Sequence, residues 1–138
     1  MIAWASALFG FRPLRVFFWL VAALFAFGGA VHAANMLSLS GFDWSSSPVL
    51  WRALDVVFLV LNATVVLGVI FRSGRAVIAF LLAAGLQVAL YGGPLAAQFG
   101  TTPENAAAVR NLLYLSLALL GLFVGLVLLR TRYRQRQP

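Results

Sequence analysis

The sequence predicts an all-α integral membrane protein: a four-helix bundle of four transmembrane helices with both termini on the inner side (N-in/C-in). Three observations lead there. The 138 residues are 63% hydrophobic and only 9% charged, whereas a water-soluble domain carries about a quarter charged residues. The apolar residues fall into four runs, each near the roughly 20 residues that a helix needs to cross a hydrocarbon core of about 30 Å. The arginines gather at alternate connections between those runs. A strand reading fits poorly, because β-barrel spans alternate apolar and polar residues and these runs are apolar all round. Within lipid an unpaired backbone is too costly, which leaves helix. The whole chain, 1–138, reads as one membrane domain, with no internal repeat and no low-complexity linker.

The first span is expected over residues 14–35, after Arg12-Pro13. Val31-His32-Ala33 resembles a small-x-small signal cleavage site, but the apolar run exceeds a typical signal core, so an uncleaved helix is expected. The eleven residues before Arg12 are uncharged and too short to span, and are expected to lie along the inner interface. The second span is expected over 48–71, with Ser47 as hydroxyl cap and Pro48 at the first helical position. The third, over 76–91, follows the short turn Arg72-Ser73-Gly74-Arg75 and ends at Gly92-Gly93-Pro94, which cannot continue a helix unbroken. The fourth, over 103–129, opens with Thr102-Pro103-Glu104: a cap, a proline and an acidic first turn. A basic cytoplasmic tail, 130–138, closes the chain.

Orientation follows from charge. All ten basic residues are arginine. With the N-terminus inside, Arg12, Arg15, Arg72, Arg75, Arg130, Arg132, Arg134 and Arg136 lie on the inner side, and only Arg52 and Arg110 outside. This is the positive-inside pattern of a bacterial inner (cytoplasmic) membrane, multi-pass, and the arginine-only, Ala- and Leu-rich composition reads as high-GC bacterial. Trp44 and Trp51 fall at the outer interface, as an aromatic belt would. The tail is expected to meet anionic lipid heads rather than nucleic acid, so the expected partner is the lipid bilayer.

Composition also limits chemistry. Without cysteine there can be no disulfide, Fe–S cluster or covalent c-type haem. With His32 as the single histidine, the chain cannot supply bis-His haem or a His-rich metal site. No cofactor, no metal ligand set and no catalytic residue is expected, and the enzyme question leans to no. Asp43, Asp55 and Glu104 are the only acids.

Asp55 is the exception that invites a site. The charge-free run from Val56 to Phe71 has 16 residues, so a full span must begin near Ala53 and carry Asp55 about one turn into the apolar layer. An aspartate is too short to reach outward well, and a buried carboxylate needs a partner or a proton. His32 and Asn35 end the first span near the outer side, Asn62 lies near the middle of the second, Gln87 and Tyr91 lie in the outer half of the third, and Arg110 opens the fourth on the outside. Asn62 shares a helix face with Asp55, and Tyr91 one with Gln87. The candidate site is a polar pocket open to the periplasm formed by Asp55, Arg52, His32, Asn62, Gln87, Tyr91 and Arg110, with Arg52 or Arg110 as counter-ion. The plainer reading is interhelical hydrogen bonding. Gly121 and Gly125 are four apart and form the best candidate helix-packing face, for a protein partner or a homo-oligomer.

Size, helix count and the glycine-to-arginine exit Gly68-Val69-Ile70-Phe71-Arg72 resemble the DoxX-like group of small four-helix bacterial membrane proteins. The resemblance covers architecture and carries over no functional residue. The expected function is that of a non-catalytic accessory or assembly subunit acting through helix packing. The alternative is a small transporter or ligand-binding membrane protein using the pocket around Asp55, and an enzyme acting on a quinone or lipid ranks third.

Overall fold

The computed structural model describes residues 3–41, 43–99 and 101–135. All regular structure among them is helical: α1 (Ala3–Ser6), a 3-10 turn (Ala7–Gly10), α2 (Arg12–Met36), a 3-10 turn (Trp44–Ser46), α3 (Val49–Ile70), α4 (Gly74–Gly92), α5 (Ala96–Phe99) and α6 (Pro103–Gln135). Four of these helices, α2, α3, α4 and α6, are long and apolar enough to cross a membrane. The shortest, α4, has 19 residues and spans about 28 Å at 1.5 Å per residue. The chain divides within α4 into two compact units, 1–80 and 81–138.

In the first unit α2 and α3 lie antiparallel. Late residues of α2 meet early residues of α3: His32 reaches Asp55, and a Cβ built on Gly28 would come within 3.0 Å of the Asn62 amide nitrogen. Leu14, Phe18, Val21, Val65, Val77 and Phe80 are fully buried. Phe80 of α4 stands edge-on to Phe17 and Phe18, with ring centroids 5.7 and 6.0 Å apart, an arrangement that aligns ring edge with ring face.

Both long helices of this unit end in the same way. Ser38 N–H bonds Asn35 O and Leu39 N–H bonds Ala34 O; Arg72 N–H bonds Val69 O and Ser73 N–H bonds Gly68 O. These are Schellman ends, which place one residue in the left-handed region. Glycine usually fills it, yet here Ser38 (φ 55°) and Arg72 (φ 50°) do, at a cost of about 1 kcal/mol each. Gly68 acts through space rather than conformation. A Cβ there would lie 2.7 Å from Ala76 N, so its missing side chain lets the start of α4 pack against the end of α3.

The N-terminal segment packs within the first unit. Ala5, Leu8 and Phe9 are buried, the Phe9 ring sits 5.1 Å from Phe18, and Ser6 Oγ accepts from Gly74 N–H at 2.9 Å. Ser6 thereby satisfies one of the open amides at the start of α4. Arg15 Nε donates to Phe9 O, so this arginine closes the turn before it points anywhere else.

The start of α3 differs from expectation. Pro48, not Ser47, is the capping residue, and no side chain caps the helix. Pro48 O accepts from the N–H groups of Trp51 and Arg52, while the Ser47 hydroxyl donates to Asp43 O. The proline ring sets the entry and the hydroxyl is used in the preceding turn.

In the second unit α4 ends at Gly92 and α5 follows at Ala96. A Cβ on Gly93 would meet Ala89 O at 2.5 Å, so only glycine allows the chain to leave α4 there. Thr102 caps α6 as expected, its Oγ1 accepting from Asn105 N–H at 3.2 Å, with Glu104 in the first turn. The 33 residues of α6 span about 50 Å, well beyond a hydrocarbon core. The basic tail is therefore a continuation of the helix through Gln135 and not a separate segment, and Arg132 and Arg134 stand in its last turn, where they complement the helix dipole. The rest of the tail, 136–138 with Arg136, lies outside the described residues, as do residues 1 and 2.

Candidate functional site

Asp55 lies in the second turn of α3 and is 7% exposed. Three donors from two other segments converge on it. His32 Nδ1 is 2.7 Å from Asp55 Oδ1. Asn35 Nδ2 donates to the same oxygen at 3.1 Å. Trp44 Nε1 donates to Oδ2 at 3.0 Å. His32 and Asn35 are three apart at the end of α2 and share a face; Trp44 comes from the connection between α2 and α3. With the carboxylate as acceptor, Nδ1 is the ring nitrogen that carries the hydrogen. The imidazole is also stacked on Phe58, ring centroids 5.5 Å apart and planes 12° apart. Phe58 follows Asp55 by three residues, so α3 supplies both the acceptor and the surface that orients the ring.

Trp44 is held by a hydrogen-bonded turn. Asp43 Oδ1 accepts from Ser45 N–H and Ser45 O–H at 2.9 and 2.8 Å, Ser46 O–H donates to Asp43 O, and Trp44 N–H donates to Ser38 Oγ at 3.2 Å. The Ser45 hydroxyl, and then the Ser45 amide, hold the Asp43 carboxyl below its ordinary value of 3.8, because each bond favours the charged form.

Asp55 is engaged by His32, at 2.7 Å, and not by Arg52. The guanidinium carbon lies 5.9 Å from the centroid of the Trp44 ring, in cation–π range, and the Arg52 Nε is buried with no hydrogen-bond partner. The reason is local: Asp55 already receives three N–H groups, and Trp44 stands beside Arg52. Asn62, two turns further along α3, is buried with its side chain against Gly28 and Gly29.

The other expected site residues belong to the second unit. Gln87 Oε1 accepts from Ser116 O–H at 2.8 Å, and that hydroxyl also lies 2.8 Å from Leu112 O. Tyr91 stands edge-on to Phe99, centroids 5.7 Å apart. Arg110 is exposed on α6. Gly121 and Gly125 have no atom within 4 Å of a built Cβ among the described residues.

Sequence reasoning put His32 and Asn35 at the end of the first span but missed that Trp44 would bond Asp55. The signal was present: Asp43-Trp44-Ser45-Ser46-Ser47 is a strong local turn, and an indole N–H that leaves the interface needs an acceptor. The chemistry of the cluster is that of a clasp. The carboxylate accepts three N–H groups, which use about three of its four lone-pair sites. Interhelical hydrogen bonds in membranes are worth around 0.6 kcal/mol each, so three contribute about 2 kcal/mol.

No protein-family model, no curated protein and no solved structure matches the chain.

Proposed function

We propose that the chain is a small polytopic protein of a bacterial inner membrane, with both termini cytoplasmic, and that it serves as a non-catalytic accessory or assembly subunit acting through helix packing. The observation that carries this reading is the closed state of Asp55. The buried acid that made a transport or catalytic role attractive is occupied by His32, Asn35 and Trp44, which ties α2, its connection and α3 together. The arginine distribution supports the orientation. The open faces at Gly121 and Gly125 support a role in which a partner helix or second copy packs on α6.

A second reading has one observation in its favour. The unpartnered Arg52 Nε beside Trp44 is a donor without an acceptor, as a ligand-binding protein would keep for an anionic or carbonyl group. Affinity purification from the native membrane, with mass spectrometry of proteins and small molecules, separates the two. The subunit reading expects a protein partner at fixed stoichiometry that Asp55→Asn leaves bound. A small molecule that co-purifies with wild type and is lost in Asp55→Asn, with no protein partner, would replace it by the ligand-binding reading.

A further inference from the structure

The end of α3 opposite Asp55 carries a second feature, on the side where α3 turns into α4. Thr64, Leu67, Gly68 and Phe71 recur at helical spacing and share one face. The Schellman turn then brings Ser73 and Arg75 round beside that face. Together the six residues line an open-sided groove of about 450 Å³, within the 300–1,000 Å³ typical of ligand sites. Gly68 creates its corner, since α4 could not approach so closely past a side chain.

The groove has an apolar flank and a cationic rim. Leu67 and Phe71 are 54% and 75% exposed. The Thr64 hydroxyl donates to Val60 O at 2.8 Å, so its hydrogen is spent on its own helix. At the rim, Ser73 Oγ accepts from Arg75 N–H at 3.3 Å and keeps its own hydrogen to donate. Arg75 is exposed, and among the described residues no carboxylate pairs with it. The first amides of α4 are already used, Gly74 by Ser6 Oγ and Ala76 by Ser73 O. An anion there would be held by Arg75 and the Ser73 hydroxyl rather than by the helix terminus.

We infer that this groove is a binding site for an anionic phospholipid, its phosphate on Arg75 and Ser73 and one acyl chain along Phe71, Leu67 and Thr64. Charge complementarity commits the rim to an anion. The apolar flank commits the rest of the occupant to hydrocarbon: Thr64 to Phe71 covers about 10 Å, the upper part of one leaflet whose hydrocarbon depth is about 15 Å. The site depends on neither the subunit role nor the sidedness proposed above.

Native mass spectrometry of the full chain in detergent tests it, titrated with phosphatidylglycerol and with phosphatidylcholine of the same acyl chains. Phosphatidylglycerol is expected to bind about tenfold more tightly, and Arg75→Gln to lose about that factor, the worth of one charge-assisted hydrogen bond. Arg72→Gln, in the same turn but outside the groove, is expected to lose less than about twofold. Thr64→Leu, which fills the groove without changing charge, is expected to weaken binding with the protein still folded by circular dichroism. Equal binding of the two lipids, equal losses in Arg72→Gln and Arg75→Gln, unchanged binding in Thr64→Leu, or displacement by millimolar inorganic phosphate would each overturn the inference.

Discussion

The two ends of α3 are secured by opposite means. Near its start, a buried carboxylate gathers three N–H donors from α2 and the connection that follows it. Near its end, Gly68 meets the backbone of α4 with no side chain between them, and Val65, Val69, Ala76 and Val77, close by along the two helices, are all buried. The first end tolerates movement poorly because hydrogen bonds have direction and a narrow range of length. The second tolerates added volume poorly because packed backbones leave none. A bilayer provides no hydrophobic force to pull helices together, so close packing and polar contacts must both contribute.

Substitution at Asp55 should have the largest effect. Asp55→Ala removes the acceptor for three donors and is expected to destabilise the protein by about 3 kcal/mol, measured as a shift of the unfolding midpoint in mixed detergent micelles. Asp55→Asn keeps the shape and one accepting oxygen, but sets its amide hydrogens against one of the three donors. About 1 kcal/mol is expected for it. Equal costs for the two variants would mean that the altered acceptor chemistry alone undoes this end and that the shape retained by Asn contributes nothing.

Gly68→Ala comes next, at about 2 kcal/mol from overpacking, because its Cβ would lie 2.7 Å from Ala76 N and 2.8 Å from Ala76 Cβ. The paired change Gly68→Ala with Ala76→Gly removes the Cβ–Cβ clash but leaves the backbone nitrogen in place, so partial rescue is expected. Full rescue would show that the methyl group alone sets the spacing.

The smallest effect lies in the turn that presents Trp44. The Asp43 carboxyl is held below 3.8 by its bonds to Ser45. A depressed folded value means that the turn has its full support above about pH 4 and loses it as pH falls through the lowered value. The carboxyl carbon resonance of Asp43 should therefore titrate with a midpoint below 3.8, and Trp44 fluorescence should follow it. A midpoint at or above that ordinary value would detach the turn from the clasp.

Each of these regions was legible to a different degree. Asp55 was singled out by counting the charge-free residues behind it, and His32 and Asn35 by their place at the end of the first span. Of the two counter-ions expected for Asp55, Arg52 and Arg110, Arg52 lies over Trp44, while His32, from another helix, is 2.7 Å from the carboxylate. At the other end, Gly68 was visible only as part of a glycine-to-arginine exit. Its role as the point where α4 passes closest had no mark in the sequence, because a glycine in an apolar helix has many explanations. The glycines singled out by their spacing, Gly121 and Gly125, have no neighbour within 4 Å among the described residues, whereas Gly68 and Gly28 do.

What could be read from the linear order of residues was governed by local rules: the number of long apolar helices, their ends to within two residues for α2, α3 and α4, the cap at Thr102, and the break at Gly93, though not the cap of α3, where Pro48 replaces the expected Ser47. Run length and turn chemistry act over a few neighbours, so they survive without a fold. The partners of Asp55 required the fold itself. They lie 23, 20 and 11 residues away along the chain, and a hydrogen bond forms only within about 3 Å. That distance is shorter than one turn of helix, so no count of spacing along separate helices can resolve it; the antiparallel register of α2 against α3 had to be in place first.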